Sequence, residues 1–105
     1  MATDNRYRID AVFNAGRIIE IISNSREPMG SSELAPQIGV SANTAFRMCE
    51  TLEELRMLQR VGDKYTLGMA LAHCWARYKT RREAERDRIN LELENLEIQG
   101  GNDVH

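Results

Sequence analysis

Long apolar runs are missing from this 105-residue chain. None approaches the ~20 residues a membrane helix requires. The opening MATDNRYRID has no apolar stretch of the kind a secretory leader carries. No membrane partner is expected, and the expected location is cytoplasmic. Cysteine is scarce: Cys49 and Cys74 are the only two, with no CxxC pair. Both lie among apolar residues at helical spacing, which reads as reduced packing and not as a disulfide framework or metal site. His73 beside Cys74 makes no ligand pair, because adjacent helical positions point in different directions. There is also no excess of positive charge, since the net is −2. A chain without a general cationic field can hold nucleic acid only through a few placed cations. No Gly-rich phosphate loop, activated nucleophile, paired carboxylates in a pocket context or metal-ligand set can be found. Neither an enzyme nor a cofactor is expected.

The charges that are present are unevenly placed. Residues 77–88, RYKTRREAERDR, carry six basic and three acidic side chains, and from residue 89 on there are four acidic residues and no basic one. The hydrophobic pattern divides the chain further. From about Asp10 to Ser23, Val12, Ile19 and Ile22 recur on one side, and Phe13, Ile18 and Ile21 widen a helical stripe. SREPMG ends that helix with Pro28 and Gly30. Ser31 or Ser32 is expected to cap a brief second helix, with Glu33 at its positive end, Leu34, Ala35 and Ile38 inward, and Gly39 closing it. Ser41 caps a third helix running to about Leu55, whose inward set is Ala45, Met48, Cys49, Leu52 and Leu55. Then the period shortens. LQRV and KYTL flank Gly62-Asp63, a hairpin signal. After Gly68 the pattern is helical again through about Ile98.

Helix, helix, helix, hairpin, long helix is the order of a winged helix-turn-helix with an added C-terminal helix, a mainly α fold with a β wing. The expected organisation is a flexible N-terminal arm over 1–8, the winged module over 9–68, a long helix over 69–98 and a disordered tail over 99–105.

At about 100° per residue, Asn43, Arg47, Glu50 and Glu54 point away from the third helix's core stripe. The second helix of a helix-turn-helix enters the major groove by its N-terminal part. Asn43 suits adenine and Arg47 suits guanine. Ser41 and Thr44 are short hydroxyls at a helix N-terminus, suited to phosphate oxygens. Glu50 and Glu54 would repel phosphate, but lie a turn or two farther on. On polarity alone, a solvated helix face with a capping serine explains the row equally well.

SSELAPQIGVSANTAFRMCETLEEL followed by LQRVGDKYTLG resembles the N-terminal DNA-binding domain of the isocitrate-lyase-regulator (IclR) family of bacterial transcription factors. The resemblance spans roughly residues 8–78. It rests on Arg17-Ile18-Ile19-Glu20 in the entering helix, Glu33-Leu34-Ala35, the Gly39 turn, and Thr44, Arg47 and Leu52 in the recognition helix. Tyr65-Thr66-Leu67-Gly68 closes the wing. It implies a sequence-specific regulator of transcription bound to double-stranded DNA. The implied contacts are Ser31, Ser32, Ser41, Asn43, Thr44 and Arg47, with Arg60 and Lys64 of the wing on phosphates. An arm of Arg6, Tyr7 and Arg8 reaching a minor groove is a further option, against a frayed terminus. Two departures stand out. The family's usual glycine after the recognition helix is Arg56 here, and the family's following effector-binding domain has no counterpart in these residues, so no small-molecule effector is expected.

In the last helix, positions 71, 75, 78, 82, 85 and 89 keep a 4-3 rhythm that Leu93 and Leu96 extend. Leu71, Trp75 and Tyr78 are expected on the winged module. Ile89, Leu93 and Leu96 have no core left to join, and the expectation is a homodimer through them; the alternative is a helix folded back on its own domain. A rival from another class is a winged-helix adaptor that binds protein and not DNA, favoured by the negative net charge and by Glu50, Glu53 and Glu54.

Overall fold

The computed structural model describes the backbone of residues 6–104 and the side chains of residues 6–97. Residues 1–5 of the expected arm lie outside this range, as does residue 105. The elements are α1 (Asp10–Ser23), α2 (Ser31–Ile38), α3 (Ala42–Glu54), β1 (Leu58–Val61), β2 (Lys64–Leu67) and α4 (Met69–Val104). This is a winged helix-turn-helix followed by a long helix. The chain divides into two compact units, Met1–Leu71 and Ala72–His105.

In the first unit α1 buries Ile18 and Ile22 against Leu34 and Ile38 of α2, Cys49 and Leu52 of α3, and Leu58 and Tyr65 of the hairpin. The stripe is therefore centred on Ile18 and Ile22. Val12 and Leu55, expected inside, are 68% and 56% exposed. Each sits near a helix end, where the stripe outruns the element that faces it. Burial pushes the Cys49 thiol up to about 11, as desolvation of a thiolate requires.

Glycine makes the turn of the helix-turn-helix. Gly39 has φ 76°, a left-handed conformation open to it without a Cβ clash. Its N–H and that of Val40 both reach the Ala35 carbonyl, at 3.0 and 3.1 Å. Arg17 donates from Nη2 to the Gln37 carbonyl at 2.8 Å, satisfying another acceptor at the end of α2. The exit of α3 closes in the same way but without glycine. Arg56 sits at φ 62°, its N–H bonds the Glu53 carbonyl at 2.9 Å, and the Met57 N–H bonds the Leu52 carbonyl at 2.9 Å. That is a Schellman closure with an arginine where the resemblance implies a glycine.

β1 and β2 pair antiparallel from Leu58↔Leu67 to Val61↔Lys64, turning at Gly62 with φ 67°. Met29 bridges to Tyr65 through two backbone bonds of 2.8 and 2.9 Å, which ties the segment after α1 to the wing. Gly68 is buried, and a Cβ there would stand 2.2 Å from the Arg56 carbonyl oxygen. The glycine that closes the wing is thus demanded by a close backbone approach.

In the second unit every described side chain is exposed. Trp75 and Tyr78, expected in contact with the winged module, are 64% and 50% exposed and stack on each other at 5.8 Å. Cys74 is exposed, so its reading as a packing residue does not hold. Lys79–Glu83 and Arg82–Glu85 pair along the helix at 3.8 and 3.5 Å. The helix runs on to Val104, past the end expected near Ile98. No helix among the described residues is long and apolar enough to cross a membrane.

Candidate nucleic-acid interface

The front of α3 is built by its cap. Ser41 is extended and its Oγ accepts the Thr44 N–H at 3.1 Å. The same hydroxyl donates to Thr44 Oγ1 at 2.9 Å, which leaves the Thr44 proton for an outside acceptor. Ser41, Asn43, Thr44 and Arg47 are all exposed, and the first turn holds no acid. Asn43 and Arg47, four residues apart, share one face. Among the described residues no carboxylate pairs with Arg47. Arg47 stands in the second turn of α3, one turn beyond the amides that Ser41 caps.

The back of α3 differs. The Glu50 carboxylate accepts a hydrogen bond from Arg60 Nη2 and another from the Tyr65 hydroxyl at 3.3 Å. Arg60 Nε also lies 3.6 Å from Glu53, and its Nη2 lies 3.2 Å from the Tyr65 oxygen. Burial raises the Tyr65 pKa and the Arg60 charge opposes the rise. The phenol therefore stays protonated and serves as a donor to Glu50. This cluster fastens the wing to the recognition helix. It pairs two of the three glutamates that count against DNA with a single cation, halving their charge, and it occupies the arginine expected on phosphate.

Lys64 is also engaged, 3.6 Å from Glu33. Glu33 accepts the Gly30 N–H at 3.1 Å, and Gly30 is the N-cap of α2. Ser31 and Ser32 are thus the first two residues of that helix and not its cap. Ser32 is exposed and Ser31 half-buried. In the arm, the Arg8 guanidinium sits 4.1 Å from the centre of the Phe13 ring and its Nε lies 3.1 Å from Asp10, so Arg8 is drawn back onto α1.

Of the eight sequence-chosen residues, four form one exposed surface at the start of α3. Two stand at the start of α2, and the two wing cations are held by carboxylates. Glu50, Glu53 and Tyr65, which hold the wing, were missed as a group. Their only trace in sequence is the i, i+3 spacing of the two acids opposite a hairpin with one arginine. An open groove of about 660 Å³ lies between α1 and α3. It is floored by Ala15, Ile19, Met48 and Met57, flanked by Val12 and Leu55, and lined also by Thr44 and Arg47.

Residues 11–62 match the IclR helix-turn-helix domain. That is a family of DNA-binding transcription regulators, not of enzymes. No curated protein and no solved structure matches the chain.

Proposed function

On the premise that this chain carries an IclR helix-turn-helix domain, we propose that it is a small homodimeric regulator that reads a specific double-stranded DNA sequence with α3 in the major groove. One observation carries the reading. Arg47 is an exposed cation with no carboxylate partner among the described residues, one turn along α3 from Asn43 and Thr44, while Glu50 and Glu53 behind it share the charge of Arg60. Arg47 and Asn43 address base edges. Thr44, Ser32 and the α2 and α3 N-terminal amides address phosphate. Lys64 exchanges Glu33 for a phosphate when the wing meets DNA, and Arg60 keeps its structural place.

The second partner is another copy of the chain. The supporting observation is the exposure of Ile89, Leu93 and Leu96, at 46%, 52% and 62%. Three large apolar residues on one stripe of a helix with no cover are an interface in waiting.

Selection of bound DNA from a random pool gives the preferred site. On that site Arg47→Ala costs about 1–3 kcal/mol and relaxes one base position, with the fold intact by circular dichroism. Unchanged affinity and unchanged preference would end the assignment. The adaptor reading is favoured by the apolar α1/α3 groove. A mobility shift with random DNA at low salt separates the two, because an adaptor gives none.

A further inference from the structure

Two apolar patches lie on one stripe of α4, and the structure leaves both uncovered. The near patch is Trp75 and Tyr78, preceded by Leu71; the far patch is Ile89, Leu93 and Leu96. At 100° per residue all six, with Arg82 and Glu85 between them, fall within about 80° of helix surface. Leu71 and Leu96 are about seven turns apart. We propose that two copies pair through this stripe in antiparallel orientation, centred between Arg82 and Glu85. The inference rests on the homodimer reading and deepens it.

Charge decides the direction. A parallel pair in register sets Arg82 against Arg82 and Glu85 against Glu85. It also runs the acidic stretch of Glu92, Glu94 and Glu97 beside its own copy. Like charges directly opposed are unfavourable. Turning one helix round sets Arg82 opposite the partner's Glu85 twice over, and the side chains that pair at 3.5 Å within one helix then bridge two. The acidic stretch comes to lie beside residues 70–75, which hold no Lys, Arg, Asp or Glu. The apolar residues match in the same register. Tyr78 meets Ile89 and Leu71 meets Leu96, while Trp75 falls opposite Glu92 with Leu93 one residue along, within reach of the indole.

Spacing supports the same direction. Each winged module joins α4 at its Met69 end. In the antiparallel pair the two Leu71 positions stand about 25 residues apart along the axis, roughly 38 Å at 1.5 Å per residue. Half-sites one DNA turn apart are separated by about 34–36 Å. A parallel pair brings both modules to one end, with only the width of the helix pair between their joins.

The test uses full-length chains in a Cys74→Ala background, where Cys49 is buried and unreactive. Y78C and I89C are made separately, and oxidation is carried out in glutathione buffer. Antiparallel pairing gives an interchain disulfide when the two variants are mixed, and little with either alone. Ready crosslinking of I89C with itself, in a chain that light scattering shows to be a dimer, overturns the antiparallel arrangement and leaves the homodimer standing. A monomer at micromolar concentration, with no crosslink in any mixture, overturns both.

Discussion

Among the described residues, ten hydrophobic side chains of the module up to Leu71 are buried, whereas every side chain of α4 beyond it is exposed. The two regions are stabilised by different means. The module has a core that its own elements supply, so its order is a property of one chain. Past Leu71, the described residues of α4 rely on intrinsic propensity and on pairs such as Lys79–Glu83, each worth tenths of a kcal/mol. The match to the IclR helix-turn-helix domain, residues 11–62, falls wholly within the region that holds its own core.

The strongest way to break the contrast is Gly68→Ala. Because the added Cβ would strike backbone and not a movable side chain, the module loses about 3 kcal/mol or more, seen as a collapse of its thermal transition. A loss under 1 kcal/mol would mean that the wing's last residues shift freely. Next is the double change Ile89→Asp and Leu96→Asp. It weakens self-association about a hundredfold or more, roughly 2.7 kcal/mol, by sedimentation, while the module's melting is unmoved. Coupled loss of both would show that the two regions are not independent.

Smaller effects sharpen the picture inside the module. Arg60→Ala releases Glu50 and Glu53 from the wing. Both partners are partly exposed, which limits the loss to about 1 kcal/mol, or about 4–8 °C in melting temperature. DNA affinity falls as well, since two unpaired carboxylates then flank the recognition helix, and Glu50→Gln in the same chain recovers part of it. A larger fall in affinity that Glu50→Gln leaves untouched would return Arg60 to the phosphate backbone. The smallest change expected is a gain. Arg56→Gly removes the cost of an arginine at φ 62°, partly offset by the entropy of a glycine in the unfolded chain. The net is about +0.5–1 kcal/mol by denaturant titration; destabilisation would point to a contact of the Arg56 side chain.

What could be read in advance followed locality. The bounds of α1 and both strands of the wing came directly from period and breakers, because each is fixed by residues within a few positions. The Ser41 cap was legible for the same reason. The place of Arg60 was not. Its partners on α3 lie seven and ten residues away in sequence, and meet it only after the hairpin has folded onto the helix. Ser31 and Ser32 had the right chemistry for a cap, but Gly30 took the position, with Glu33 accepting the cap N–H. Val12 and Leu55 fitted their stripes in angle, yet a stripe says nothing of how far the neighbouring element extends. Position 56 showed a departure from the family pattern; only the backbone angle showed that the turn is kept and the glycine is not.

The two thiols fall one in each region, Cys49 buried in the module and Cys74 exposed on α4. Together they make a built-in clock. A thiol reagent at pH 8 reaches the exposed Cys74 directly. It reaches Cys49 only through openings of the module, so the ratio of the two rates measures how often the core breathes. With DNA bound, slower reaction at Cys49 would report that binding suppresses those openings, and slower reaction at Cys74 would report cover over α4. A single chemical trace therefore follows both regions at once, without any added label.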